Sequence, residues 1–204
     1  MQERSKNFLI LGLIIGVFIA FFLAGRFLIN PDEMSRLNKG TLIVPHVSVD
    51  DLGFTQADGT PYRSEDMAGK WTLAYIADGT CDAACKNGLF YLIRQLQRSL
   101  DRDASRVRRL IMHTAEPDNT LRTFLDENVP GMVEVSVDPD LTNTLLLPAM
   151  ESSTDSASHH IFLISPDGMI FMWYPTHADQ DATLLEADNI RDDLKRTLKG
   201  SLIG

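Results

Sequence analysis

The stretch WTLAYIADGTCDAACKNGLFYLIRQLQRSL, residues 71–100, decides how this chain folds. Its first seven residues are nearly all apolar or β-favouring, as in a strand buried on both faces. Its last fifteen carry Leu89, Leu92, Ile93 and Leu96 at helical spacing. Between strand and helix stand the chain's only two cysteines, Cys81 and Cys85, with three residues between them. The order is therefore strand, tight turn, cysteines, helix.

The pattern continues on both sides. RRLIMHT at 108–114 reads as a strand, TLRTFLDEN at 120–128 as a helix and MVEVSV at 132–137 as a strand. HHIFLISPDGMIFMWYP at 159–175 reads as two strands joined by a Pro-Asp-Gly turn. Ala187, Ile190, Leu194 and Leu198 then mark a closing helix with Gly200 as its cap. Upstream, Asp58-Gly59 signals a two-residue hairpin and TLIVP at 41–45 an edge strand, while ESSTDSAS at 151–158 reads as a surface loop. The sum is an α/β sheet with helices on both faces.

Phe8 to Gly25 carries no charge and no strongly polar side chain. As a helix this run measures roughly 27 Å, enough to span a bilayer, and it is longer than a secretory signal core. It ends LAGRF, a poor cleavage site, so an uncleaved anchor is expected, with removal of the segment as the alternative. Arg4 and Lys6 before the span favour a cytoplasmic N-terminus and a periplasmic soluble domain. The expected division is an anchor over 1–29, a linker with its edge strand over 30–50 and the α/β domain over 51–204. The chain's net charge is −9, and the first 29 residues contribute +2 through Arg4, Lys6 and Arg26 against Glu3, which leaves −11 on the rest. Such a surface repels nucleic acid and anionic lipid, and suits cations or a basic partner.

Cysteines this close together close a tiny loop, so a bridge between them removes little unfolded-state entropy and serves poorly as a staple. In a regular helix their Cβ atoms would lie roughly 5–6 Å apart, beyond the roughly 3.5–4.5 Å of a relaxed disulfide, so either residues 79–83 turn or the bridge is strained. A helix start favours thiolate. Asp78 and Asp82 oppose it and Lys86 supports it, so the local field is mixed. Redox exchange and metal binding both stand above a structural role.

Phe54 to Tyr75, with its DG turn and GKWTLAY strand, resembles the N-terminal hairpin and first core strand of thioredoxin-superfamily proteins. The CxxxC spacing, the Glu116-Pro117 loop, the His159-His160 pair and the Pro166-Asp167-Gly168 turn are together similar to the Sco/SenC family. The resemblance implies a thioredoxin-like fold with an N-terminal transmembrane helix, seated in the inner membrane. It implies copper bound by Cys81, Cys85 and one histidine, and a role in cytochrome oxidase assembly with an oxidase subunit or another copper or thiol assembly protein as partner. Two thiolates and an imidazole suit copper, whereas zinc would usually take a fourth ligand.

Two departures stand beside this likeness. CDAACK lacks the prolines usual in Sco motifs, and the Sco histidine position is held here by Ala157. Strand parity makes His159 the substitute, while counting from the active-site proline of thioredoxins lands on His160. His46, His113 and His177 have no motif around them, and Met169, Met172 and Trp173 read as core packing. The alternatives are a metal-free thiol–disulfide oxidoreductase and a scaffold whose cysteines are only a staple.

Overall fold

The computed structural model describes residues 12–19, 38–150 and 154–201. The chain divides into two units, Met1–Leu37 and Asn38–Gly204. In the first, residues 12–19 are helical and exposed. The rest of the expected span Phe8–Gly25 lies outside the described residues, among which no helix is long and apolar enough to cross a membrane.

The second unit opens with β1 (Thr41–Ser48) and two short helices, α1 (Val49–Leu52) and α2 (Ser64–Met67), before β2 (Trp71–Ala77). Helix α3 starts as an α-helix over Ala83–Asn87, widens to a π-helix over Gly88–Gln95 and closes with Leu96–Arg98. Then follow β3 (Val107–His113), α4 (Asn119–Asn128), β4 (Val133–Ser136), α5 (Pro139–Met150), β5 (His160–Ile164), β6 (Met169–Pro175) and α6 (Gln180–Gly200). The sheet order is β1-β6-β5-β2-β3-β4. Strands β2, β3 and β4 run parallel, and β5, β6 and β1 add on antiparallel.

Strand β2 pairs along its whole length with β3 and on its other side with β5, which explains its unbroken apolar run. Leu73, Tyr75 and Ala77 point into one core with Cys81, Cys85, Leu89 and Leu92, closed by Ile190 and Leu194 of α6. Ala74 and Ile76 point into the opposite core with Leu146 and Met150 of α5. Alternate residues of one strand thus divide the domain into two hydrophobic layers.

Three local expectations change. The Asp58-Gly59 turn exists, with Gly59 at φ 85°, but its flanks make a single bridge, Thr55 to Pro61. The Gln56 N–H donates to the Thr60 carbonyl and the Tyr62 N–H to the Phe54 carbonyl, both at 2.8 Å, and on its other side Thr55 pairs with Ser136, its N–H donating to the Ser136 carbonyl over 3.1 Å. The closing helix includes Gly200, with Ser201 in the cap position. Residues 139–150, to which the pattern assigns no element, form α5. Asp138 caps it by accepting from the Leu141 N–H at 2.8 Å, and Pro139 fills the first helical position, where its missing N–H costs nothing.

One buried charge fastens the domain's entry to its last helix. Asp193 is 3 % exposed, and its Oδ2 accepts from the backbone N–H groups of Lys39 at 2.7 Å and Gly40 at 2.8 Å, and from the Tyr174 hydroxyl at 3.0 Å. Arg196 donates to the other oxygen at 3.1 Å. A side chain at Gly40 would overlap the Tyr174 ring, so the close approach needs glycine. Asp193→Ala leaves the Lys39, Gly40 and Tyr174 donors facing a void, removes the carboxylate to which Arg196 donates, and should cost about 3–5 kcal/mol in urea unfolding. A loss below about 1 kcal/mol would show that this clasp contributes little.

Candidate functional site

Strand β2 ends at Ala77, and the next residues must leave the sheet sharply to reach α3. Gly79 takes φ +96°, and a Cβ there would lie 2.7 Å from the Glu116 carbonyl oxygen, so glycine is needed for both conformation and space. Asp78 steadies the turn, its Oδ1 accepting from the Thr80 N–H at 3.1 Å and the Thr80 hydroxyl at 3.0 Å. The loop after β3 braces it, since the Asp118 N–H donates to the Gly79 carbonyl at 2.8 Å.

Cys81 follows this turn and Cys85 lies inside the first turn of α3. The two are joined in a disulfide with Cα atoms 5.1 Å apart. Cys81 precedes the helix, and this turn before Ala83 is what lets the sulfurs meet. Asp82 is the N-cap, and its carboxylate accepts from the Cys85 N–H at 2.9 Å. That donor at the helix start is thus taken by a carboxylate and not by sulfur. Cys81 is 8 % exposed and Cys85 fully buried, so Cys81 is the residue of the pair that keeps some exposure.

The adjacent histidines part company. His159 adopts φ 64°, and its ring stands between Tyr75 of β2 and Asp78 of the cysteine turn. Its Nδ1 is 2.9 Å from the Tyr75 hydroxyl and its Nε2 2.9 Å from Asp78 Oδ2. Burial, and then the negative charges of Asp82 and Asp78, push the Tyr75 hydroxyl far above the usual phenol range, so it keeps its proton and donates to Nδ1. Burial pushes Asp78 upward, but the hydrogen bonds from His159 and Thr80 outweigh it and hold the carboxyl below its ordinary value. The matching tautomer carries the proton on Nε2 and donates it to Asp78.

His160 starts β5 facing the other way. Its ring packs edge-on against Trp173, centroids 5.0 Å apart, and its Nδ1 lies 2.8 Å from the Ser158 carbonyl. Trp173 belongs to the layer opposite the cysteines. Burial lowers the His160 pKa. The structure therefore brings His159 to the cysteine side and leaves His160 behind the sheet.

Tyr75 is the member of the site that pattern reading did not single out, and Asp78 entered that reading only as a charge opposing thiolate. A buried tyrosine hydroxyl needs a partner, and Tyr75 inside an apolar strand was the available signal. Beyond the turn, at the ends of β3 and β4, His113, Glu116, Arg122 and Glu134 line a cavity of about 500 Å³. His113 and Arg122 both meet Glu134 Oε2, at 3.0 Å and 2.9 Å.

Residues 71–201 match the family model described as the transmembrane-like, thioredoxin-like, C-terminal domain. The chain belongs to this family. No sequence among curated proteins matches it. Among solved structures, crystalline yeast Sco1 is similar at 13 % identity and a TM-score of 0.53, over 83 % of this chain and 100 % of that one. Yeast Sco1 with copper bound gives 13 % and 0.53, over 82 % and 97 %. The thioredoxin domain of a thiol-disulfide oxidoreductase from Bacteroides vulgatus gives 14 % and 0.48, over 78 % and 96 %. At these identities the likeness to Sco1 is one of fold.

The copper set implied by the Sco resemblance does not fit this arrangement. The sulfurs are bonded to each other, both nitrogens of His159 are engaged, and His160 faces the other layer. Among the described residues, no group of three or more His, Cys, Asp or Glu side chains is arranged to hold a metal ion. What this thioredoxin-like domain does present is a disulfide between a fully buried Cys85 and a slightly exposed Cys81. After mild reduction, limiting alkylation should therefore modify Cys81 at least about tenfold faster than Cys85. Equal rates would mean that the burial difference does not control access.

Proposed function

We propose that this protein is a membrane-anchored thiol–disulfide exchange protein whose thioredoxin-like domain faces the periplasm. The observation that carries the proposal is the Cys81–Cys85 disulfide at the β2–α3 junction, with Cys81 at 8 % and Cys85 at 0 % exposure. A partner thiolate attacks the Cys81 sulfur, the bond to Cys85 breaks, and its electron pair leaves on Cys85, which takes up a proton. A second partner thiol then attacks the mixed disulfide and releases Cys81. The partner gains one disulfide and this chain gains two thiols, so two electrons and two protons balance; the reverse sequence oxidises this chain and reduces the partner.

The periplasmic placement is supported by the uncharged run Phe8 to Gly25 and the preceding Arg4 and Lys6, and an oxidising compartment suits a cysteine pair that stands as a disulfide. The acidic surface suits a partner with a basic face. The resemblance to the Sco/SenC family favours a partner in cytochrome oxidase assembly, either an oxidase subunit or another copper or thiol assembly protein.

Spheroplasts carrying the full chain provide the test. A membrane-impermeant maleimide should label Cys81 only after brief treatment with a mild reductant, and label nothing in the Cys81→Ser, Cys85→Ser double variant. Labelling that needs cell lysis would overturn the topology. A disulfide that resists the reductant in the folded protein would overturn the exchange reading.

A further inference from the structure

We propose that His159 is a positioning residue, a bridge from Tyr75 to Asp78 that fixes the turn carrying Cys81 within bonding reach of Cys85, and not a metal ligand. The inference rests on the thiol-exchange reading and adds the residue that sets its equilibrium. His159 holds a left-handed backbone conformation that is unfavourable for a non-glycine residue, so something must hold it there. Both of its backbone groups are bound: its N–H donates to the Ile76 carbonyl at 2.8 Å, and its carbonyl accepts from the Thr176 hydroxyl at 2.7 Å. These bonds tie the residue to β2 and to the end of β6. The ring is then aimed at the cysteine turn while His160 enters the sheet.

The ring joins the sheet to the turn that carries Cys81. Tyr75 is fully buried in β2, and its ring reaches beneath α3, where a Cβ on Gly88 would lie 3.6 Å from it. Asp78 sits in the turn and divides its two oxygens, Oδ1 serving Thr80 and Oδ2 serving His159. The imidazole thereby transmits the position of the sheet to the turn three residues before Cys81. A disulfide is favoured over two thiols to the extent that the fold holds the sulfurs together in advance. Loss of the bridge frees the turn on its sheet side and should weaken the bond.

The experiment equilibrates the full-length chain in detergent with reduced and oxidised glutathione, following protein disulfide plus two glutathione going to protein dithiol plus glutathione disulfide. His159→Gly removes the ring while relieving the left-handed strain, and should shift the balance toward dithiol by about tenfold, the scale of one charge-assisted hydrogen bond. Tyr75→Phe removes only the hydroxyl and should shift it in the same direction by less. Asp78→Asn combined with His159→Gly should shift it no further than the larger single change, since both act through one bridge. The urea midpoint of the reduced His159→Gly chain should stay close to that of the reduced parent.

An unchanged glutathione balance in His159→Gly, with the parent exchanging normally, overturns this inference and leaves the exchange reading intact. A parent chain that never equilibrates with glutathione overturns the exchange reading itself. Cu(I) titration of the reduced chains against a competing chelator supplies the other arm: His159→Gly should leave binding as it is in the parent. A loss as large as that from Cys81→Ser would make His159 a ligand and overturn its role as a bridge alone.

Discussion

Strand β2 is hydrogen-bonded on both edges and buried on both faces, and that confinement governs the chemistry at its end. A strand so held cannot drift, so the residues that follow it start from a fixed point and direction. The chain must then climb out of the sheet within four residues, from Ala77 to Cys81. Gly79 makes this possible and Asp78 and Asp118 hold it. The alternation along β2 places Tyr75 and the cysteines in one layer, and so connects the buried core to the site.

The electrostatics of the turn differ from those a bare helix start would produce. Asp82 takes the N–H of Cys85, and Asp78 brings a second carboxylate close by. Two negative charges beside the pair work against thiolate formation, which slows nucleophilic attack by the reduced pair. The imidazole of His159 occupies Asp78 Oδ2 and carries its hydrogen bond back to Tyr75. Geometry, more than thiolate stabilisation, is the lever left to tune this couple.

Much of the fold is legible in the sequence because its core strands are short, apolar and bounded by turn residues. WTLAYIA coincides with β2, and the Pro-Asp-Gly turn separates β5 from β6. Helix α5 was hidden by Pro148 and the run LLLPAM, which breaks the helical period even though Asp138 and Pro139 form a good start signal. The cysteine pair is plain from spacing, and the turn before Cys81 that a bridge demands is present. The contacts of His159 could not be read in advance. They join residues 84 positions apart through a left-handed backbone step that no local pattern announces.

The central claim is that Cys81 and Cys85 form a working redox couple and not a staple. Acid-quenching growing cells and tagging free thiols with a mass-bearing maleimide reads the redox state of the pair directly. The account predicts that a brief pulse of reductant converts the disulfide to two thiols in the folded protein, and that the disulfide returns when the pulse is removed. A pair that stays oxidised through the pulse and opens only after denaturation would contradict it.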